Sequence, residues 1–386
     1  MNIQRISELR DLIDQEPGGP VLSAFCRTDP RDPANKGESP GWHIALKNGL
    51  RAAVAGTGGD HADEQAIRKL STEAERRLSE ISASERGRSV ALFLSADGSI
   101  DALHTFQIPV REDFVSLDGG PVIWPMVDVL DRGRRTGLVL LSHDRVRLLE
   151  WSDGHVEELE TSTFDLERGD WREYRGGSAR GSQGRGQQSV THTSSYDDRV
   201  DEWRTRFVKA AGKAIAESSA DLGFERLLIA ADGDLGDEFA EAMPAGVRDL
   251  VAEVVPADLI DLSTAEAAQH LDPHLREAWR LRVNRIADQA EERIQAGHRA
   301  AGGVDETLFA LAQGRVEHLL VDPYLKAEEE TLSVGSRQAI EDAGEPSVQE
   351  ALVELAIRTD ARVSSASVDE VPALAEHGGV LALLRY

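Results

Sequence analysis

The feature that most constrains this chain is a segment of thirteen residues, 176–188, that cannot contribute to a hydrophobic core. It contains five glycines and three glutamines, and no aliphatic side chain larger than alanine. Such a segment buries too little apolar surface to offset the conformational entropy that is lost on ordering. We therefore expect a mobile loop here, with folded parts of the chain on either side of it.

The charge of the chain makes the same segment unusual. The 386 residues include 69 Asp and Glu against 43 Lys and Arg, a formal charge of −26. An acidic surface repels phosphate, so a nucleic-acid partner requires a local basic patch. Between Tyr174 and Ser195 there is no acidic residue, whereas three arginines occur, Arg175, Arg180 and Arg185. We predict that these arginines are the RNA-binding residues, if the protein binds RNA.

Cysteine usage and hydropathy restrict the class of protein further. The single cysteine, Cys26, excludes an intramolecular disulfide framework and a cysteine-based zinc site, and its apolar neighbours predict a buried side chain. No stretch approaches the ~20 apolar residues that span a membrane. The first residues lack the pattern of a secretory signal. The sequence predicts a soluble, cytoplasmic protein without a membrane partner.

Hydrophobic periodicity predicts a mixed α/β fold, α+β in part, with three domains. These are an N-terminal α+β domain at 1–162, a central α/β domain at 163–301 that carries the loop, and a C-terminal α/β/α sandwich at 302–386. The first domain is expected to end in an antiparallel meander. The main predicted strands are 21–27, 89–95, 102–108, 136–142, 146–151, 155–161, 226–231, 249–255, 316–321, 361–366 and 380–386. The main predicted helices are 3–13, 64–81, one from about 200, 235–242, 273–300, 306–313, 348–359 and 368–375.

Two motifs resemble metal sites without completing one. Residues 232–237 alternate Asp and Gly like a calcium loop but lack its later Glu, so we interpret them as a strand-to-helix turn with a capping Asp. His270 and His274 lie four residues apart, but Pro273 is expected to interrupt the helix between them. Nucleotide-binding and hydrolase motifs are absent from the sequence. We predict no metal ion and no organic cofactor.

A group of arginines near the start of the predicted long helix allows two interpretations. They could form a basic face for RNA, or they could belong to a solvated helix with internal ion pairs, which we favour. The residues concerned are Arg276, Arg280, Arg282 and Arg285.

The C-terminal residues carry a resemblance to a known family. Residues 303–322 (GVDETLFALAQGRVEHLLVD) and 378–386 (GGVLALLRY) resemble the C-terminal domain of archaeal and eukaryotic class-one peptide release factors and of Pelota. The whole chain fits the three-domain plan of that superfamily, with the loop where release factors carry a Gly-Gly-Gln motif. It is most similar to bacterial members, akin to the Vms-type release factors of ribosome quality control.

The resemblance implies a catalytic glutamine, although no Gly-Gly-Gln tripeptide occurs. The family motif Gly-Arg-Gly-Gly-Gln-Ser aligns with 184–189 and implies Gln188. A Gly-Gly-x-Ser-Gln pattern of bacterial relatives implies Gln183, which we favour narrowly, and the Gly-x-x-Gln pattern of the Vms type implies Gln187. The loop glycines are Gly176, Gly177, Gly181, Gly184 and Gly186.

In this family the loop enters the peptidyl-transferase centre, where a glutamine amide can orient water but does not act as an ordinary base. The resemblance thus implies rescue of stalled ribosomes by hydrolysis of peptidyl-tRNA or by cleavage of the tRNA acceptor end. Its partners would be the ribosome, through rRNA and peptidyl-tRNA, and possibly a translational GTPase. Stop-codon-reading motifs are absent from residues 1–160. The alternatives are a non-catalytic hibernation or stress factor in the acceptor site, and, less favoured because of its acidity, a C-terminal module that binds structured RNA.

Overall fold

A computed structural model describes residues 3–37, 39–56, 61–165, 170–174, 193–327, 332–343 and 347–386. The chain divides into two compact units: unit 1 comprises Met1–Gly133 and Trp279–Tyr386, and unit 2 comprises Arg134–Ala278. Among the helices of the described residues, none has the length and apolarity that crossing a membrane requires.

Unit 2 is built on a six-stranded mixed sheet. Its elements in chain order are β5 (Thr136–Leu141), β6 (Arg145–Ser152), β7 (His155–Asp165), β8 (Asp170–Tyr174), α6 (Thr193–Leu222), β9 (Arg226–Ala231), α7 (Leu235–Ala242), α8 (Ala245–Arg248), β10 (Val251–Pro256) and the first part of α9 (Thr264–Gln295). The strand order is β10-β9-β5-β6-β7-β8, with β8 at one edge. Strands β10, β9 and β5 run parallel, whereas β5 to β8 form an antiparallel meander.

Local sequence explains the tight turn of this meander. Asp153 and Gly154, between β6 and β7, both have positive φ, 52° and 83°. An Asp-Gly pair with two positive φ angles suits a two-residue hairpin whose twist matches its strands. The predicted meander is therefore confirmed, but it shares its sheet with β9 and β10 of the central segment.

The N-terminal part of unit 1 is a four-stranded antiparallel sheet covered by helices. Its elements are α1 (Ile3–Ile13), β1 (Val21–Arg27), a 3₁₀ turn (Pro33–Asn35), α2 (Gly41–Gly56), α3 (His61–Glu80), α4 (Ala83–Arg86), β2 (Ser89–Ser95), β3 (Asp101–Phe106), β4 (Phe114–Asp118) and α5 (Trp124–Arg132). The order is β3-β2-β1-β4, so β4 is an edge strand. Alternate residues of β1 and β2, among them Leu22 and Leu92, pack with α2 and α3.

Two residues show how closely this layer packs. Cys26 is fully buried, and burial raises the pKa of its thiol, which confirms the predicted buried side chain. A Cβ on Gly49 of α2 would lie 2.5 Å from a methyl group of Val115 in β4. Only glycine lets the helix approach the strand this closely.

The C-terminal part of unit 1 is a second four-stranded sheet with helices on both faces. Its elements are β11 (Ala300–Gly302), α10 (Val304–Ala312), β12 (Val316–Val321), α11 (Val334–Ala343), α12 (Val348–Arg358), β13 (Arg362–Ser365), α13 (Ala373–Glu376) and β14 (Val380–Leu384). The order is β11-β14-β12-β13. Helices α10 and α12 pack on this sheet, and α9 packs Trp279 and Val283 against Leu320 and Leu381. The predicted C-terminal α/β/α sandwich is confirmed.

The N-terminal helix α1 lies against α12. Leu9, Leu12 and Ile13 are buried, and α1 contacts α12. The Arg10 guanidinium donates to the Ile357 carbonyl at 3.0 Å. An element at the start of the chain is thereby packed on one near its end.

Two predicted helices differ from the structure. Helix α9 runs without interruption through Pro273, whereas we expected a break there. Reciprocal hydrogen bonds between Ser263 and Glu266 cap the start of the helix. Leu271 and Leu275, on either side of the proline, are buried. This packing compensates for the one backbone hydrogen bond that the proline removes.

The predicted helix 368–375 is reduced to the short α13, which begins at Ala373. Pro372 disfavours helical backbone in the residue before it, so a helix cannot easily run through this position. The predicted domain boundaries at 162 and 301 fall inside β7 and β11, and the three-domain division stays a prediction.

Candidate functional site

The predicted site lies outside the described residues. All three candidate glutamines, the five loop glycines and the three loop arginines fall within 175–192. The structure gives the two ends between which this segment runs, Tyr174 at the end of β8 and Thr193 at the start of α6. The choice among Gln183, Gln187 and Gln188 therefore stays a prediction.

The segment leaves the fold from an edge strand. Strand β8 pairs only with β7 in the sheet order, and its last residue, Tyr174, lies opposite Thr161. An edge strand has no second neighbour, so a chain that leaves it does not have to cross other strands. This position allows a long insertion without disturbing the sheet.

The other end is held by the long helix α6. Phe207, Ala211 and Ile215 are buried on its inner face and pack with the strands of unit 2. Arg204 adds an ion pair to Glu238 of α7 at 2.8 Å. The segment 175–192 therefore runs between an edge strand and a long helix of unit 2.

Two arginines of unit 2, Arg135 and Arg147, form hydrogen bonds within the protein. Arg135 binds Glu150 through two hydrogen bonds of 2.5 and 2.7 Å. Arg147 binds Glu158 at 2.8 Å and donates to the carbonyls of Ile260 and Leu262 at 2.8 and 2.7 Å. These cations are therefore used to fix loops on the sheet.

The Asp-rich turn behaves largely as interpreted. Strand β9 ends at Ala231 and α7 begins at Leu235, with Gly233 at φ 56° between them, which confirms the strand-to-helix turn. The expected capping Asp is wrong, because Asp234 is at the N-cap without a side-chain hydrogen bond to the helix. Its φ of −81° and ψ of −2° are helical, whereas a capping side chain needs extended backbone.

The histidine pair lies on one continuous helix, which corrects the predicted break. His274 Nδ1 lies 2.8 Å from a carboxylate oxygen of Glu253, whereas His270 is exposed. Within the described ranges there is no group of three side chains able to hold a metal ion.

The arginine group of α9 follows the interpretation that we favoured only in part, because we expected a solvated helix paired with Glu277, Asp288, Glu291 and Glu292, whereas Arg282 pairs with a buried carboxylate of α5. Arg276 pairs with Asp272 at 3.1 Å within the helix. Arg282 donates to both oxygens of the fully buried Asp131 at 2.8 Å. These two arginines serve internal ion pairs in the structure.

Sequence reasoning missed a cleft of about 730 Å³ in unit 1. It lies among β4, the start of α5, the residues after β12 and the start of α12, and its lining includes Asp118, Trp124, Tyr324 and Lys326. Asp118 and Trp124 lie at least 200 positions away from Tyr324 and Lys326 in the chain. No local spacing could have brought them together in a prediction.

A buried carboxylate, Glu350, lies beside this cleft. It is fully buried and accepts hydrogen bonds from the backbone N–H groups of Ile123 and Trp124, at 2.7 and 3.2 Å, at the start of α5. Burial raises its pKa to about 8, and the charges of Glu354 and Asp118 act in the same direction, while the two N–H groups oppose the rise. The carboxylate thereby satisfies two backbone N–H groups at the start of α5 that have no partner within the helix.

Fold and site define a mixed α/β protein in which a glycine- and glutamine-rich segment joins an edge strand to a long helix. Residues 121–276 match the model of bacterial archaeo-eukaryotic release factor family 10. This match covers the segment and every strand of unit 2, and it confirms the resemblance to the bacterial branch of the archaeo-eukaryotic release factors. No curated protein gives a significant match to the chain.

Several solved structures are similar over much of the chain. An archaeal translation termination factor, aRF1, is 15% identical, covers 100% of this chain and 99% of its own, and has a TM-score of 0.26. Pelota of Archaeoglobus fulgidus is 18% identical with coverages of 77% and 79% and a TM-score of 0.34. Dom34 of S. cerevisiae, described as a translation termination-like factor that interacts with Hbs1, is 9% identical with coverages of 78% and 86% and a TM-score of 0.40.

Proposed function

We propose that this protein acts on ribosomes as a rescue factor, and that a glutamine of the segment 175–192 promotes hydrolysis of peptidyl-tRNA. The observation that carries the proposal is the family match over 121–276, because this range includes the segment 175–192 together with β8 and α6, between which it runs. A protein with this role would work in the cytoplasm.

The chemistry suits a glutamine. Water attacks the carbonyl carbon of the ester that joins the nascent peptide to the tRNA. The bond to the 3′-oxygen of the tRNA breaks, and this oxygen takes up a proton to become the 3′-hydroxyl. A glutamine amide offers donors and an acceptor that can hold the water and the developing oxyanion. The ribosome surrounds the ester, so the protein has to supply only orientation.

The absence of acidic residues between Tyr174 and Ser195 supports a role for the loop arginines. Arg135 and Arg147 are paired with Glu150 and Glu158, and we assign the contacts to rRNA or tRNA phosphates to Arg175, Arg180 and Arg185. In a protein of charge −26, such contacts are expected to be strongly dependent on salt. A translational GTPase that delivers the protein is a further proposed partner.

The test is single-turnover release from 70S and 50S particles that carry labelled peptidyl-tRNA. Replacing the catalytic glutamine, in separate variants Gln183→Ala, Gln187→Ala and Gln188→Ala, should slow release by about 10²-fold or more in one variant. Gln289→Ala, an exposed position on α9, serves as the matched control. The chemical nature of the product separates ester hydrolysis from cleavage of the tRNA end.

One sequence observation favours a second candidate, a non-catalytic hibernation factor that occupies the acceptor site. The chain has no Gly-Gly-Gln tripeptide. This candidate predicts tight sedimentation with vacant 70S ribosomes and no release from either particle. Release that is unchanged when all three glutamines are replaced would refute the loop mechanism.

A further inference from the structure

The cleft of unit 1 carries unused polar groups together with aromatic surface, and its interpretation does not depend on the proposed function. One wall consists of alternate residues of β4, whose other face packs on α2. The remaining wall comes from the start of α5 and from the residues around 323–326 and 347–349. A volume of about 730 Å³ falls within the usual range of small-molecule sites.

The apolar part of the cleft is aromatic. Phe114 and Trp124 meet edge to face, with ring centroids 5.7 Å apart, and both line the cleft. Tyr324 lines the same cleft and is 47% exposed. Within the part of the chain that the structure describes, neither the Trp124 indole N–H nor the Tyr324 hydroxyl has a hydrogen-bond partner. Aromatic residues with an unused polar atom are typical of surfaces that contact ligands.

The acidic part of the cleft favours a cation. Asp118 accepts a hydrogen bond from the Ser116 hydroxyl, and burial raises the pKa of its carboxyl. Glu350 is buried behind the cleft, and the charge of Asp118 contributes to the raised pKa of its carboxyl. Glu112 lines the cleft and, among the described residues, has no ion-pair partner. A bound ammonium group would compensate the charges of Asp118 and Glu112.

The cleft also carries one cation of its own. Lys326 lines it, is exposed, and forms no ion pair with any described residue, including the two carboxylates of the same cleft. The ammonium group of Lys326 can bind a carboxylate of the ligand. A phosphate ligand is disfavoured, because a single lysine would face two carboxylates of the same sign as the phosphate.

We propose that this cleft binds a small zwitterion with an apolar body, either a free amino acid or a short peptide with a free N-terminus. The ammonium group lies against Asp118 and Glu112, the carboxylate is directed to Lys326, and the apolar side chain packs on Trp124, Phe114 and Tyr324. Free amino acid and peptide share this chemistry, and the test separates them.

The test is calorimetric titration of the full chain with four probes. These are L-phenylalanine, phenylalanine amide, N-acetyl-phenylalanine and the dipeptide Phe-Leu. Phenylalanine or the dipeptide should bind more tightly than both blocked compounds, by about tenfold for each lost charge contact. Whichever of the two zwitterions binds more tightly identifies the natural source of the ligand. Absence of saturable binding by all four probes at about 10 mM would overturn the proposal, since even a Kd near 1 mM would be detected.

Variants locate the binding. Asp118→Asn should weaken phenylalanine by about tenfold or more, whereas Lys326→Gln should remove the preference for phenylalanine over its amide. Because burial disfavours the Asp118 charge, the asparagine variant is expected to fold. The exposed positions Asp249→Asn and Lys36→Gln are the matched controls. Equal affinity in wild type and in both cleft variants would place the ligand elsewhere and refute the proposal.

Discussion

Two helices of this molecule differ in what is added to their apolar packing. Helix α6 of unit 2 packs through Phe207, Ala211 and Ile215, an apolar surface on an apolar sheet. Helix α5 of unit 1 also buries apolar side chains, but it buries two carboxylates as well, Asp128 and Asp131, which are 1% and 0% exposed. Apolar contact is non-directional and tolerates small shifts, whereas hydrogen bonds fix distance and angle. The position of α5 is therefore specified more narrowly than that of α6.

Asp131 accepts hydrogen bonds from side chains of two other elements, α9 and β13. Its oxygens accept from Arg282 at 2.8 Å, from the Trp279 indole at 3.0 Å and from the Ser364 hydroxyl at 3.2 Å. The Ser364 hydroxyl in turn accepts from Arg282 at 3.0 Å and lies 2.8 Å from Nε2 of His318.

The second carboxylate of α5, Asp128, extends these buried polar contacts, and we call the contacts of Asp128 and Asp131 together the polar seam. Asp128 accepts from Arg111 at 2.8 Å and from Arg132 at 2.7 Å. Arg111 also pairs with Glu370 at 2.9 Å. The seam joins α5 to α9, β13 and the turn before α13, all within unit 1.

The largest effect is expected where a charge is removed from this seam without a change of shape. Asp131→Asn leaves the guanidinium of Arg282 without its carboxylate and turns an amide donor towards other donors. Loss of one partner of a buried pair costs about 3 kcal/mol or more in the free energy of unfolding. Urea unfolding of the two proteins measures it.

Asp261→Asn, at an exposed carboxylate of unit 2, is the control for that substitution, and we expect little change. If Asp131→Asn lowered the free energy of unfolding by less than about 1 kcal/mol, the seam would stabilise the protein no more than surface ion pairs do. The proposed difference between α5 and α6 would then be wrong.

The next effect is expected from Glu350, and it depends on pH because this group can take up a proton instead of remaining charged. Its pKa is raised from 4.5 to about 8 in the folded protein. Between these values the folded state binds more protons than the unfolded state, so stability should fall as the pH rises from about 4.5 to 8.

Urea unfolding of wild type and Glu350→Gln at several pH values in this window checks the effect. The variant should lose most of the decline, whereas Glu306→Gln, on the exposed face of α10, should keep it. A decline of equal slope in Glu350→Gln would assign the pH dependence to another group.

The smallest effect is expected in the apolar cluster of unit 2. Ile229→Val removes one buried methyl group between β9 and its helices, and should lower the free energy of unfolding by about 1 kcal/mol. Thermal unfolding with an unchanged circular dichroism spectrum measures it. If Ile229→Val lowered the free energy of unfolding as much as Asp131→Asn does, the apolar cluster would fix the positions of its helices as closely as the seam fixes α5.

The sequence predicted the strands well, because buried strands such as β1, β9 and β12 are continuous apolar runs between turns. It missed α5, since residues 125–131 of this helix are all buried and its two acidic residues interrupt any apolar stripe. The partners of Asp131 lie 151 and 233 positions away, so the seam and the cleft depend on contacts that no local pattern encodes. For the segment 175–192, by contrast, the prediction rests on composition and resemblance alone, and the choice among its three glutamines stays a prediction.

The packing of α1 on α12 has a consequence for the order of synthesis. The ribosome makes Leu9 and Ile13 more than 340 residues before Ile357 of the α12 surface on which this helix packs. Until α12 has been made, the apolar side chains of α1 lack this partner. Contacts of such long sequence separation form slowly and leave apolar surface open to aggregation. Folding of unit 1 can therefore be completed only after α12 has left the ribosome.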